Sequence, residues 1–511
     1  MKKKILVGGI ACIALAGFML VGCGTDEEKK EIKELSVSVY DRGTISTSEG
    51  TYSDNRWTRW IEEETGIKVK WVPIPRNDAK QKLSLLVASG DAPNIITEYE
   101  QGFINSLYEQ GVLLPVDDYI QQYSTAYKEY LQNHPELLPY VVFGDGKMYA
   151  FTDRRSIDSI ANHGLWIRQD WLDKLGLSAP TTDKELIEVA KAFRDRDPDE
   201  NGVNDTLGLS VIQWQEITQA MYQASSLWYL EDGKLVYGPL TDRFADSMAL
   251  FKTLYDEKLI DQEFITDKDS SNQKQLWVTG KTGILTNNYN TDLARDLMEN
   301  DPAARPVPLE NISTQYGKNG LWQETVANRY CVFTNTLKNP QTAVEFMDWM
   351  IDKGWFTLKF GIEGEHYQMA DNVPQVINAD KNKKELNYAI DYGILTQWNV
   401  KPEWIPKMAA KDEFSQKIAA LRAQSLETAL KNEFRRDIPY EPAVPEFTKI
   451  NTEFAPIKDK VRMDVIVGGS AMTPEQGLEK MRAEWKRLGG EDVEKAVNEW
   501  YQKNKDLLTT K

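Results

Sequence analysis

Leu35-Ser-Val-Ser-Val39, Ile67-Lys-Val-Lys-Trp71 and Asn94-Ile-Ile-Thr97 are the stretches on which the fold turns. The first two alternate apolar with polar side chains, the period of a half-buried strand, and the third is a short apolar run. Between the first two, Trp57, Trp60 and Ile61 recur at helical spacing until Gly66 stops the helix. Between the second and third, residues 78–89 form another amphipathic helix, broken by Gly90-Asp91-Ala92-Pro93. Strand, helix, strand, helix, strand is the order that folds as a parallel sheet with crossover helices. Ligands of such sheets bind beyond the carboxyl ends of the strands, which places Tyr40 to Ser53 and Thr97 to Gly102 at the rim of a cleft. The loop 41–53 is long, polar and glycine-bearing, and loops of that length at that place are more often functional than decorative.

A second unit begins near Asp153, after a strand predicted over Lys147 to Phe151. Gly164 to Arg168 reads as a strand and Asp170 to Leu175 as a short helix closed by Gly176. Pro180-Thr-Thr-Asp183 then caps a helix whose apolar face is Leu186, Val189, Ala190 and Phe193. A strand returns at Val326 to Thr334, residues 340–360 and 411–505 read mostly as helix, and no internal repeat is evident. Crossings near 152 and 325 divide the chain: 35–152 with 326–400 as lobe 1, and 153–325 with 401–511 as lobe 2. The fold class is thus α/β, two lobes about a hinge with C-terminal helices packed back on them.

Lys2, Lys3 and Lys4 precede an apolar run from Ile5 to Val21, the basic and hydrophobic regions of an export signal and too short for an ordinary membrane span. The run ends in Leu20-Val-Gly-Cys23, the spacing of a bacterial lipobox, so residues 1–22 are expected to be removed and Cys23 acylated. An ordinary export signal that holds a cysteine is the alternative. Residues 23–34 form a charged tether, placing the body on the outer face of a cell membrane, in keeping with a Gram-positive bacterium. Cys12 leaves with the signal and Cys23 carries lipid, so Cys331 stands alone, a small buried hydrophobe without a disulfide.

The 511 residues carry a formal charge of -17, and loss of the three N-terminal lysines makes that -20. Polyphosphate is repelled, so nucleic acid is not a partner. His134, His163 and His366 are the only histidines and none is four residues from another, which excludes zincin motifs and nearly excludes histidine-dependent catalysis. Gly280-Lys-Thr282 lacks the upstream glycine of a phosphate loop. Paired carboxylates for glycoside hydrolysis are recognised by distance in space, so spacing alone leaves that chemistry open.

Asp197-Pro-Asp199-Glu-Asn201-Gly202-Val203-Asn-Asp205 matches the front of a calcium-binding EF-hand loop: oxygen ligands at positions 1, 3, 5 and 9, a Val203 carbonyl at 7, glycine at 6. Gly208 stands where the bidentate glutamate belongs, so Thr206 or a remote carboxylate would complete the shell of a structural calcium. Among 15 tryptophans, Trp57, Trp60 and Trp349 read as core. Trp166, on a strand with Arg168 on the same face, offers the ring and guanidinium that a pyranose needs. Trp322 lies on a loop after Gly317-Lys-Asn-Gly320, where an exposed ring has no structural purpose. Asp41, Arg42 and Tyr99 add polar contacts, while Trp214, Trp277, Tyr289 and Trp355 are weaker candidates.

Ser89-Gly-Asp-Ala-Pro-Asn-Ile-Ile96, Gly111-Val-Leu-Leu-Pro-Val-Asp117 and above all Leu165-Trp-Ile-Arg-Gln-Asp-Trp-Leu-Asp-Lys-Leu-Gly176 resemble the extracellular solute-binding lipoproteins of carbohydrate ABC importers, family 1, LipO-like branch. Asn339-Pro-Gln-Thr-Ala-Val-Glu-Phe346 and Gly361-Ile-Glu-Gly-Glu-His-Tyr367 extend the resemblance over nearly the whole chain. It implies two α/β lobes closing on an oligosaccharide and ABC permease subunits as partners of a monomer. Relatives that bind alginate oligosaccharides look similar around Asp197 to Asp205 and carry calcium there, with an acidic residue where Thr206 stands. The competing function is a surface-anchored, calcium-stabilised glycan-degrading enzyme; a cargo of peptide is a weaker third. With a charge of -20 countered locally only by Arg154-Arg155, a neutral oligosaccharide is favoured over an acidic one.

Overall fold

The computed structural model describes residues 33–508 except 162, 289, 290, 432 and 443, so the expected signal, Cys23, most of the tether and Tyr289 lie outside the described residues. Strand β1 (Glu34–Asp41) pairs in parallel with β2 (Lys68–Pro75) along its whole length, Glu34 opposite Lys68 through Asp41 opposite Pro75, and with β3 (Ile95–Glu98) at Val37 opposite Ile95. The helix between β1 and β2, Arg56–Thr65, starts where the Asn55 side chain accepts from the N–H groups of Trp57 and Thr58. It ends at Gly66, whose φ of 64° is left-handed. Its buried face carries Trp57 and Ile61, and Trp60 packs 5.5 Å from Trp349.

Strand β4 occupies Phe151–Arg154, later than the predicted 147–151. Residues 141–149 are instead bent on themselves, with the Gly146 N–H on Phe143 O at 2.8 Å and the Tyr149 N–H on Val141 O at 3.0 Å. The chain then builds a second sheet from β5 (His163–Arg168), β6 (Leu207–Val211), β7 (Thr282–Asn288) and β8 (Pro306–Leu309), in the order β8-β5-β7-β6. Here β6 and β7 are parallel, and β5 runs against both its neighbours. Strand β9 (Ala327–Phe333) returns to the first sheet, antiparallel between β3 and β4, giving the order β2-β1-β3-β9-β4.

The helix Asp183–Asp195 is held by a reciprocal cap between Thr182 and Glu185 and buries Leu186, Val189, Ala190 and Phe193. It lies so close on the second sheet that a Cβ on Gly208 would come within 2.6 Å of the Ala190 Cβ, and one on Gly283 within 2.1 Å of the Phe193 ring. Buried apolar side chains form one core from 35–151 with 327–395 and another from 161–321 with 429–508. The helices Pro445–Val467 and Pro474–Arg487 join the second through Phe447, Phe454, Val461 and Trp485. A third, small cluster of Val400, Ile405, Ala419, Ala423 and Leu426 packs on Ile157 and Trp398 beside the first crossing. Cys331 is fully buried, its thiol on Ile394 O at 3.4 Å and its ionisation pushed up by burial. No helix among the described residues is long and apolar enough to cross a membrane.

Candidate functional site

The carboxyl ends of β1, β2, β3 and β4 and the start of β9 meet at one edge of the first sheet, because β9 alone runs the other way. Tyr40 to Arg42, Arg76, Glu98-Tyr99, Asp153 to Arg155 and Ala327 to Arg329 therefore share that edge. Both crossings leave from it. The Arg155 N–H donates to Val326 O at 2.6 Å, and its guanidinium donates to Thr325 O at 3.1 Å and Ala327 O at 3.3 Å, so one crossing is laced to the other. A third segment joins through the Ile157 N–H on Asn399 Oδ1 and the Val400 N–H on Ser156 Oγ, both 3.1 Å.

At that edge Tyr40 and Tyr99 stack with centroids 5.6 Å apart and planes 9° from parallel. The Arg76 guanidinium lies 4.6 Å from the Tyr40 ring and 5.2 Å from Tyr99, and Arg329 lies 5.0 Å from Tyr99. The Tyr99 hydroxyl accepts from Arg329 Nη2 at 2.6 Å and Nε at 3.1 Å. Arg42 donates from Nε to Asp391 Oδ1 at 2.7 Å, and Asp41 accepts from the Gly43 N–H at 2.9 Å. The Tyr40 hydroxyl donates to Glu98 Oε1 at 2.6 Å; burial, then that carboxylate, holds its ionisation well up. Burial likewise raises the Asp153 carboxyl to about 6, against the opposing pull of Asn328 and Arg329. Asp391 is pushed up by burial in spite of Arg42.

A groove of about 360 Å³ runs from this edge along the helix Gln101–Glu109, faced on its other side by Glu441 and the start of the helix Pro445–Val467. Its walls present Gln101, Asn105, Ser106 and Thr448. One wall belongs to the first core and the other to the second, so it is a cleft between lobes whose amides and hydroxyls, the groups that match sugar hydroxyls, stand beside the charged Glu109, Glu441 and Lys449. Trp322 sits half-buried on the second crossing, its ring 5.3 Å from Phe434 and under the Arg436 guanidinium, also at 5.3 Å. The structure thus brings Asp41, Arg42 and Tyr99 together at the edge of the first sheet and puts Trp322 on the crossing beside it.

Contrary to the expectation from the sequence, Trp166 and Arg168 do not face the cleft. Trp166 is 1% exposed, packed in the second core between Leu285 and Pro308, and presents no ring face to a ligand. Arg168 is 3% exposed and bound to Asp170 at 2.6 Å and Asp301 at 3.1 Å. Because β5 runs antiparallel, its last residue lies at the pole of the second sheet away from the crossings. Alternation along a strand is blind to that reversal. Trp214 and Trp277 are buried in the same core. His366 is buried with its Nδ1 accepting from the Ile362 N–H at 3.1 Å, so Nε2 carries the proton toward Glu385 at 3.0 Å, a packing role. Arg76, Arg329 and Asp391 have no signal in the alternation; Arg76 follows the strand directly only because that strand runs on to Pro75, past the Trp71 at which its alternation ends.

The loop 197–205 lies at the far pole too, before β6. Asp197 takes the N–H of Asn201 at 3.2 Å and of Gly202 at 3.0 Å, and the Asn201 amide donates to Asp199 at 2.9 Å and Asp205 at 3.2 Å. Lys281 reaches in, 2.6 Å from Asp205 and 3.5 Å from Asp199, which lowers the Asp205 carboxyl. Burial and a hydrogen bond with Asp197 raise Asp199. Thr206 donates its hydroxyl to Phe193 O at 2.6 Å, and Gly208 is pressed against Ala190. Among the described residues no three acidic, histidine or cysteine side chains are grouped to hold an ion alone. Counting the Asn201 amide and the Val203 carbonyl, the donor set does suit a hard cation, and Asp199 Oδ1 is a buried oxygen with no partner of its own.

Two sheets, two cores and a polar cleft at the crossings define a two-lobed protein that captures a solute between its lobes. The chain belongs to the bacterial extracellular solute-binding proteins, whose family profile matches residues 46–355. It is similar to lipoprotein LipO of Bacillus subtilis, 25% identical over 99% of both chains. It is also similar to the polygalacturonan/rhamnogalacturonan-binding protein YtcQ of the same organism, 28% identical over 73% of this chain and 75% of that one. Among solved structures, the ABC-transporter substrate-binding protein FusA of Streptococcus pneumoniae, in complex with kestose, shares the fold with a TM-score of 0.71 at 19% identity, covering 93% of this chain and 100% of its own.

Proposed function

We propose that the chain is a lipid-anchored receptor that captures an oligosaccharide in the cleft and delivers it to the permease subunits of an ABC importer. The observation that carries this is the polar groove between the lobes, with Gln101, Asn105, Ser106 and Thr448 on its walls, beside the sheet edge that bears the Tyr40–Tyr99 stack. YtcQ and FusA bear names of saccharide-binding proteins, which favours a receptor over the glycan-degrading alternative. Asp41, Arg42, Tyr99 and Trp322 contribute ligand contacts in this reading, and the protein acts as a monomer. Calorimetric titration of the purified chain with a panel of oligosaccharides should find micromolar or tighter binding without cleavage products by mass spectrometry. Peptide binding with no sugar binding would overturn it.

The anchor is Cys23, from Lys2 to Lys4, the apolar run and Leu20 to Cys23. Structural calcium at Asp197, Asp199, Asn201, Val203 and Asp205 is supported by the partnerless Asp199 Oδ1 and the converging oxygens, with Lys281 as its competitor. A cation that binds only the folded chain adds about 2.7 kcal/mol at a hundred times its Kd. Chelation of the calcium-saturated protein should lower Tm and calcium should restore it; an unchanged Tm removes the assignment.

A further inference from the structure

Among the described arginines only Arg76, Arg155, Arg196, Arg329 and Arg436 have no carboxylate partner. Arg196 lies behind the helix Asp183–Asp195, on Leu175 O, but the other four gather where the lobes meet. Three of those four spend their donors on neutral acceptors. Arg155 binds the carbonyls of Thr325 and Ala327, Arg329 the Tyr99 hydroxyl and Asp391 O, and Arg436 the Gln323 carbonyl. Arg76 differs from them: half-buried on the faces of Tyr40 and Tyr99, it makes no hydrogen bond and no ion pair. A guanidinium has five donors, no acceptor, and stays charged at any physiological pH.

Glu98, Asp391, Asp153, Asp41 and Glu100, the acids of this edge, are held by other groups, while Glu109 and Glu441 lie farther along the groove. Glu98 Oε1 takes the Tyr40 hydroxyl and the Tyr99 and Glu100 N–H groups, and its Oε2 is buried without a hydrogen-bond partner. Asp391 holds Arg42, Asp153 holds Asn328, Asp41 holds the Gly43 N–H, and Glu100 pairs with Lys80. An unspent planar fork of N–H donors on the Tyr40–Tyr99 stack, at the sheet edge from which the helix Gln101–Glu109 and its groove start, fits a carboxylate better than hydroxyls, because two oxygens can accept in its own plane. The formal charge of -20 on the chain without its three N-terminal lysines argues for a neutral ligand. That charge is spread over the whole body, and at physiological salt it is screened over about 8 Å. The group in direct contact decides.

We propose that the cleft selects oligosaccharides bearing carboxylate groups, and that Arg76 is the residue that reads them. This rests on the oligosaccharide reading above. The test is calorimetric titration of the purified chain and of Arg76→Gln and Arg76→Lys with tetragalacturonate, its fully methyl-esterified form, and neutral galacto- and fructo-oligosaccharides, each variant's Tm being checked against the parent. The parent should bind the free acid at least about tenfold more tightly than the ester, the worth of a charge-assisted hydrogen-bond pair. Arg76→Gln should lose that preference while keeping the ester's affinity, and Arg76→Lys should fall between. Preference for the neutral sugars, or an acid preference untouched in Arg76→Gln, overturns the proposal and leaves the oligosaccharide reading standing. No binding to any of the sugars removes both.

Discussion

A tryptophan's environment sets whether its loss is felt in folding or in binding. Trp166 is wholly inside the second core, so Trp166→Ala should cost about 3–5 kcal/mol of stability through cavity and transfer terms. Half-buried Trp322 on the crossing should instead lose affinity on change to alanine, by about 1–3 kcal/mol, with a smaller effect on unfolding. Denaturant melts and sugar titrations of both variants check this, and a reversed pattern would refute the placement. Asp153 makes a pH prediction. Its carboxyl, ordinarily near 3.8, is held up to about 6 in the folded chain, so the folded form keeps a proton that the unfolded chain has lost. Stability from this group therefore falls as pH rises from about 4 to about 6, by roughly 3 kcal/mol, and stays low above that. Asp153→Asn should flatten that slope, and parallel stability curves for parent and variant would contradict it. From the sequence, Asp41, Arg42 and Tyr99 could be placed at the sheet's edge because carboxyl ends of parallel strands are readable from periodicity. Arg168 could not be ruled out, because nothing in a single strand's pattern tells which way its neighbours run.

Among the elements, the helices were the most legible: the cap at Thr182 begins one where polar residues precede an apolar stripe, and Gly66 and Gly176 end the helices Arg56–Thr65 and Gln169–Leu175 in left-handed geometry. The antiparallel entry of β9 was not legible, since it follows from the chain returning through the same edge by which it left. The missing glutamate of the 197–205 loop has an element-scale cause: position 208 faces Ala190 across a helix–sheet contact with no room for a Cβ. Gly208→Glu should therefore destabilise the chain rather than complete the loop. Lys281→Met, which removes the ammonium from Asp199 and Asp205, should make Tm more responsive to added calcium. An equal calcium response in parent and Lys281→Met would show that the lysine does not compete.

In the whole molecule, two cores with separate sheets are joined by laced crossings, by the cluster around Val400 and by the Tyr140 contact to Pro439 and Tyr440. Each core is large enough to melt on its own, so the ligand-free chain should deviate from two-state unfolding, with a van't Hoff enthalpy below the calorimetric one. A ligand held by both walls of the cleft binds only when both lobes are folded. At a hundred times its Kd it should add about 2.7 kcal/mol, and it should draw the two unfolding events into one, because neither lobe can then open without losing it. Differential scanning calorimetry with and without the best sugar measures this. A sugar that raises only one of two resolved transitions would place the site within a single lobe and would break the link between the cleft and closure.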